Sequence, residues 1–322
     1  MYPLTFQPIF KERVWGGRNL ERLYHKPLPP TAPIGESWEI TDRPEGVSVI
    51  ANGPLAGKDL RWLMENHRAE LLGKGATTER FPLLIKILDC QETLSVQVHP
   101  PAKVAPQLGG EPKTEMWYVA DATADAALYA GLKKGVARGD FEKRIADGTV
   151  AETLHRLKVQ AGDVMFLPSG RVHAIGGGNV IFEIQQNSDT TYRVFDWNRV
   201  GLDAKPRDLH VRESLASIDF TDYEPRLIGS KYSRNPKFAV RYLVHDPLFH
   251  TDACKVKRGE RFYLSGETLQ ILGLIKGRLR ISNGEHEVRL AAGGFVVLPA
   301  SLGRVTVHAE TQVEFLQVQP GS

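Results

Sequence analysis

The sequence predicts a mainly β protein: two small antiparallel barrels, with a few helices added to the N-terminal part. Three observations lead there. Short runs rich in β-branched and aromatic residues recur along the 322 residues, bounded by Gly, Pro and Asn, the pattern of sandwiches and barrels rather than of a doubly wound sheet. No GxGxxG or P-loop sequence interrupts them. Finally, GDVMFLPSG from Gly162 is echoed by GGFVVLPAS from Gly293. Each has a glycine turn, an apolar strand and a proline that ends it.

Taken in order, the N-terminal MYPLTFQPIFKERVWGG has no basic segment followed by an apolar one, so no signal peptide is expected. VSVIA, FPLLIKIL, TLSVQVHP, EMWYVA, DVMFLP, NVIFEIQQ and TYRVFDW read as strands. Three segments read as helices. In KDLRWLMENHRAELLG, Leu60, Leu63, Met64, His67 and Leu71 share a face. DFEKRIADGTVAETLHRLK is capped by Asp140 and interrupted at Gly148, and PRDLHVRESLASI starts at Pro206 and Asp208. His67, His155 and His210 on these segments read as surface or packing residues. The turn-rich stretch EPRLIGSKYSRNPK, residues 224–237, divides the chain into a domain 1–230 and a domain 231–322. Beyond it the chain reads as strands alone.

Composition excludes several function classes. The apolar fraction of 42% and charged fraction of 25% are those of an ordinary globular protein. A formal charge of +3 with no Lys/Arg block gives no nucleic-acid footprint. Apolar runs such as FPLLIKIL are too short to span a bilayer. Cys90 and Cys254 are far apart and in no CxxC pair, which speaks against a disulfide framework or a thiolate zinc site and for the reducing cytoplasm.

The chemistry concentrates in a few strands. In SVQVHP, Leu94, Val96 and Val98 point one way while Ser95, Gln97 and His99 point the other. Alone, this reads as an edge strand with its polar face in water. Further on, the spacing of Gly162, Pro168, Gly170 and His173 resembles the second metal-binding motif of cupin jelly-roll barrels, although Gly177 stands where that pattern has Asn. The second copy, LPASLGRVTVHAE, has no His at that place, so one metal in the first barrel is expected. Glu115, in KTEMWYV, adds a carboxylate. Together Gln97, His99, Glu115 and His173 offer an amide oxygen, two imidazoles and a carboxylate, a set suited to Zn²⁺, Mn²⁺, Fe²⁺ or Co²⁺. Lys86 and Glu183 are unusual charges inside apolar strands, costly to bury unless paired or used. The aromatics Tyr192, Phe195 and Trp197 read as packing, NSDTT as a turn that positions Arg193, and Trp15 and Trp38 as either core or pocket wall.

At this point the chain resembles the type I phosphomannose isomerases, in particular their short bacterial form. WGGRNL, IGESWEITDRP, FPLLIKILDCQETLSVQVHP, EPKTEMWYV, FLPSGRVHAIG and EIQQNSDTTYRVFDW carry the resemblance, in the right order over nearly the whole chain. It implies two cupin-like jelly-roll barrels, the second metal-free. It makes Gln97, His99, Glu115 and His173 ligands of one divalent ion, with zinc the first choice. Arg193, Lys113 and Glu183 become the catalytic candidates, and Lys86, Lys113 and Arg193 the substrate-binding ones. The implied partner is a small sugar phosphate, and the implied reaction interconverts D-mannose 6-phosphate and D-fructose 6-phosphate through a cis-enediolate. Glu183 or Lys113 would move the proton, Lys113 on condition that burial or cationic neighbours depress its pKa. A cupin oxygenase is the rival enzyme class, and a non-catalytic sugar-binding protein the third reading. The sequence leaves the oligomeric state open.

Overall fold

Side chains alternate across a strand, so a continuous apolar run such as FPLLIKIL must be covered on both faces. The computed structural model, which describes residues 1–235 and 237–321, shows how. In chain order the strands of the first part are β1 (Ile9–Gly17), β2 (Ile34–Ile40), β3 (Asp42–Arg43), β4 (Gly46–Val47), β5 (Leu83–Cys90), β6 (Val96–Val98) and β7 (Glu115–Ala122). They continue with β8 (Ala127–Leu132), β9 (Leu154–Lys158), β10 (Val164–Leu167), β11 (His173–Ile175), β12 (Asn179–Gln186) and β13 (Tyr192–Phe195). The second part holds β14 (Phe238–Asp246), β15 (Phe249–Val256), β16 (Arg261–Gly266), β17 (Gln270–Lys276), β18 (Arg278–Ser282), β19 (Glu287–Ala291), β20 (Phe295–Leu298), β21 (Gly303–Ala309) and β22 (Val313–Pro320). The helices α1 (Asn19–Tyr24), α2 (Leu60–Leu72), α3 (Arg138–Ala146) and α4 (Val211–Ser217) all lie in the first part.

Four antiparallel sheets carry the fold. The orders are β1-β2-β5-β12-β7-β10 and β13-β6-β11-β8-β9 in the first part, then β14-β15-β22-β17-β20 and β16-β21-β18-β19 in the second. Within them the pairing β5-β12-β7-β10 with β6-β11-β8-β9 is repeated, strand for strand, by β15-β22-β17-β20 with β16-β21-β18-β19. The glycine–proline echo is therefore real at the level of the sheets: β10 and β20 occupy equivalent places.

Three apolar layers separate the four sheets. Leu88, Trp117 and Ile181 of the six-stranded sheet meet Leu128 and Ile175 of the five-stranded one. The opposite face of the six-stranded sheet, with Ile85, Ile87, Phe182 and Ile184, packs on Phe249, Ile271, Phe295 and Leu316 of the second part. A third layer, including Leu272, Phe315, Ile281 and Val307, fills the second sandwich. The second part thus covers one face of the sheet that carries Lys86 and Glu183. Phe182 and Phe295 meet across this junction with centroids 5.5 Å apart. Truncating a buried Phe of this kind costs about 3–5 kcal/mol.

Several expectations change. SVQVHP is no edge strand, since β6 lies between β13 and β11. The helix expected over residues 140–158 starts at Arg138 and stops at Ala146, with Ala137 at the N-cap position making no side-chain capping bond and Asp140 in the first turn. Gly148, at φ 78°, ends it, and Leu154–Lys158 is strand β9, paired with β8. Cross-strand pairing outweighs the helical propensity of LHRLK. The last helix starts at Val211, downstream of Pro206 and Asp208. α2 is as expected, with Asp59 capping it through the Trp62 amide at 2.7 Å and a local break at His67. Pro236, within the expected boundary stretch, lies outside the described residues.

Candidate metal centre and active-site cleft

Register builds the site. In the five-stranded sheet, His173 and Arg193 are the cross-strand partners of Gln97 on its two sides, so all three side chains leave the same face of the sheet. In the six-stranded sheet, Trp38, Lys86, Glu183 and Trp117 form a second row of partners. Glu115 precedes Trp117 by two residues and shares its face. His99 continues the polar face of β6. The ring nitrogens of His99 and His173 and the Glu115 carboxylate come together between the two sheets as a group that could hold a metal ion. His99 Nε2 lies 3.4 Å from Glu115 Oε2, and His173 Nε2 lies 3.4 Å from Glu115 Oε1.

Each imidazole is oriented through its other nitrogen. His99 Nδ1 is 2.8 Å from the Thr190 carbonyl, and His173 Nδ1 is 2.9 Å from the Arg171 carbonyl. A carbonyl can only accept, so Nδ1 carries the proton and Nε2 presents its lone pair to Glu115. Backbone carbonyls in this role fix the tautomer of metal-binding histidines. Burial lowers the pKa of both rings, His99 to about 3 with help from the Lys113 charge, so both are neutral. His99 Nε2 and both Glu115 carboxylate oxygens are buried without a hydrogen-bond partner. Lys113 Nζ stands 2.9 Å from Oε2 as an ion pair without hydrogen-bonding geometry. Buried acceptors left bare on a carboxylate and a neutral imidazole, with a second neutral imidazole converging on them, are what a divalent cation would satisfy. Gln97 Nε2 is 3.2 Å from His173 Nε2, on the border of the same space.

The remaining predicted residues lie around this centre. Lys86 is buried, its Nζ 3.4 Å from Glu183, 3.8 Å from Glu36 and 3.9 Å from Asp189. Glu183 accepts a hydrogen bond from Trp117 Nε1 at 3.0 Å. Burial and the neighbouring Glu115 raise its pKa. Burial would lower the pKa of Lys113, but Glu115 and Glu183 outweigh it and hold the ammonium protonated. The condition attached to Lys113 as a base is not met. Burial would raise Glu115, and Lys113 overrides it, keeping the carboxylate ionised. Arg193 donates through Nη1 to the Asp208 carbonyl at 2.8 Å, while its Nε is buried and unbonded. His210, expected to be inert, backs this strand: its amide donates to the Arg193 carbonyl at 2.8 Å.

Lys86, Gln97, Lys113, Glu183 and Arg193 all line one cleft of about 570 Å³. Its wall also holds residues with no assigned role in the sequence reading: Arg13, Glu36, Asp189 and Arg207. Glu36 accepts from Arg13 Nε at 2.7 Å and Trp38 Nε1 at 2.6 Å. Burial would raise its pKa, but Lys86 and Arg13 pull it down to about 2. Its one sequence signal was a carboxylate inside IGESWEI, a strand buried at every residue. Asp189 lay inside the NSDTT turn. Trp38 is core and holds Glu36, whereas Trp15 is both core and wall.

A mainly β scaffold with a buried His–Glu–His group that could hold a metal ion, next to a charged cleft whose lining includes Gln97 and Lys113 from the same strands and turns, points to a metal-dependent enzyme class. The comparisons narrow it. The model of the phosphomannose isomerase type I catalytic domain matches residues 4–124. The chain is 35% identical to mannose-6-phosphate isomerase ManA of Bacillus subtilis, over 98% of this chain and 99% of that one. It is 34% identical to the mannose-6-phosphate isomerase of Streptococcus mutans over 93% of each. The crystal structure of the mannose 6-phosphate isomerase from Bacillus subtilis superimposes with a TM-score of 0.90 at 29% identity, covering 99% of both chains. The chain belongs to the type I phosphomannose isomerase family. Among the described residues no helix is long and apolar enough to cross a membrane.

Proposed function

We propose that the protein is a metal-dependent isomerase that interconverts D-mannose 6-phosphate and D-fructose 6-phosphate. The observation that carries the reading is the convergence of His99, Glu115 and His173, with the His99 Nε2 and both Glu115 oxygens bare, beside a cleft lined by cations, in a chain whose full-length relatives are isomerases of this name. Family membership weighs against a cupin oxygenase or a non-catalytic sugar binder.

In this reading Gln97 completes the ligand set through Oε1, which a half-turn of its amide brings to the position of Nε2. Zinc suits such a mixed set, as do manganese and cobalt. A bound divalent ion supplies Lewis-acid polarisation of the sugar oxygens. The protein's own groups do the rest. Moving a carbonyl between C1 and C2 requires a proton to leave one carbon and return to the other. Glu183 suits that transfer, because a buried carboxylate of raised pKa is a better base than an exposed one. Trp117 and Lys86 hold its two oxygens in place. Lys113, kept cationic, stabilises negative charge on the cis-enediolate. Arg193, with Lys86, suits the phosphate and hydroxyls of the substrate. We assign residues 1–230 to this catalytic unit and residues 231–322 to a metal-free cupin-like unit that covers it. The two free, buried cysteines accord with a cytoplasmic location.

The test is conversion of mannose 6-phosphate by purified protein, as isolated, after chelation, and after return of Zn²⁺, Mn²⁺ or Co²⁺. Loss on chelation with restoration by metal supports the reading. Folded protein that turns over under none of these metals refutes it.

A further inference from the structure

The cleft wall includes a feature that neither the metal group nor the proton-transfer residues use. After β13 the chain makes a small hairpin. Val200 bridges to Pro206, the Gly201 amide donates to the Lys205 carbonyl at 2.7 Å, and Ala204 turns the tip at φ 60°. The base of this hairpin is pinned. Asp196, buried, accepts from Arg199 Nη2 at 2.9 Å, from Arg207 Nε at 2.7 Å and from Arg207 Nη2 at 2.6 Å. Arg199 Nη1 donates to the Thr93 carbonyl at 2.7 Å, and Trp197 Nε1 to the Leu94 carbonyl at 2.8 Å. Trp197 and Asn198 both sit at positive φ, 57° and 53°, a costly conformation for residues with a Cβ that persists where surroundings enforce it.

The tip carries no such restraint. Gly201, Leu202 and Asp203 line the cleft, yet the Leu202 side chain is 58% exposed. Val200, in the hairpin, and Leu209, just beyond it, are exposed as well. An aliphatic side chain at the rim of a polar cleft gains by covering a ligand, because burial removes its apolar surface from water. A closed rim also excludes solvent from a proton-transfer intermediate.

We propose that the hairpin 199–207 is a specificity element of this site: Asp196 fixes its base, and Leu202 closes over the bound sugar phosphate. This rests on the isomerase reading above. It assigns Leu202 a role in substrate retention and solvent exclusion, and Asp196 the role of a positioning residue acting through Arg199 and Arg207.

The test compares Leu202→Ala with Leu209→Ala, another exposed leucine, outside the cleft lining. The expected result for Leu202→Ala is a KM raised about 10-fold with kcat changed far less. Turnover in D₂O should also place more solvent deuterium in the product, with unchanged thermal stability. Leu209→Ala should match the wild type. Hydrogen exchange of residues 199–207 in the wild type should slow when fructose 6-phosphate is added. KM and deuterium content equal to wild type in Leu202→Ala, with wild-type turnover intact, overturn the hairpin proposal and leave the isomerase reading standing. Should the wild type itself fail to turn over, absence of exchange protection by the sugar phosphate overturns the hairpin proposal separately. A Leu202→Ala effect that tracks a change in oligomeric state on size-exclusion chromatography would make the rim a subunit contact, and would also overturn it.

Discussion

Lys86→Met isolates the charge balance of the cleft. The ammonium lies within 3.4–3.9 Å of Glu183, Glu36 and Asp189. Methionine keeps most of the stem and removes the cation. Glu36 retains Arg13 and Trp38, and Asp189 is partly exposed, so the loss falls on Glu183. Its carboxyl is buried and already raised above its ordinary value of 4.5 by burial and Glu115. Without Lys86, of the two cations only Lys113 is left to lower it, so its pKa rises further and a larger share of it is protonated. Holding a carboxyl of ordinary pKa neutral at pH 7 costs about 3.4 kcal/mol, and at pH 5 about 0.7 kcal/mol. An acid whose folded pKa exceeds its unfolded value loses stability as pH rises between the two, so the variant's deficit must grow with pH. Because Lys113 remains and the wild type already carries part of this penalty, the expected destabilisation is a fraction of these figures, about 1 kcal/mol at pH 7 and less at pH 5. Urea unfolding at the two pH values measures it. Isomerase activity at pH 7 should fall and recover in part as pH rises, since the protonated share of Glu183 cannot accept a proton. Equal destabilisation at both pH values would refute the reasoning.

Other perturbations give distinct signatures. His99→Ala and His173→Ala should each lower bound metal, measured by plasma emission after dialysis, far more than Gln97→Ala, because a neutral amide is the weakest of the ligands. Gly35→Ala places a Cβ 2.6 Å from both Arg13 Cβ and Trp15 Cζ3. Forcing β1 outward should cost about 1–3 kcal/mol in urea unfolding and raise KM, since both residues line the cleft. Asp59→Ala removes the cap of α2 and should cost about 1 kcal/mol with kinetics unchanged.

The parts of the site legible in the sequence were those with a local anomaly. Gln97 and His99 share the polar face of an otherwise apolar strand, and Lys86 and Glu183 are charges where an apolar side chain is expected. Arg13, Asp189 and Arg207 gave no such signal, and Glu36 only that of a carboxylate inside IGESWEI, because their roles depend on register between strands far apart in sequence. The failed helix over residues 154–158 has a related cause. LHRLK has no strand pattern by itself and becomes a strand through its pairing with β8. Helix α1, at six residues, is too short to show a period.

The duplicated sheets also explain why one half holds the metal group. Glu115 opens β7 opposite Leu167, and Gln270 opens β17 opposite Leu298, so Gln270 occupies the place of Glu115. Counting five residues past the proline that ends each echo leads to His173 in one half and Arg304 in the other. A carboxylate has become a neutral amide and an imidazole a guanidinium, which lies over the Tyr263 ring at 3.5 Å. A divalent cation needs anionic charge and free lone pairs, and a guanidinium offers neither. Among the described residues the His99–Glu115–His173 group is accordingly the one that converges as a metal site. The second half keeps the strand pairing while its apolar outer face supports the sheet that carries Lys86 and Glu183. Restoring a carboxylate and an imidazole by Gln270→Glu with Arg304→His should therefore cost stability in urea unfolding, since Gln270 is buried on the face of β17 that Leu272 turns into the second sandwich, and confer no isomerase activity, because the register puts Asp252 and Thr268 where the first half has Lys86 and Lys113.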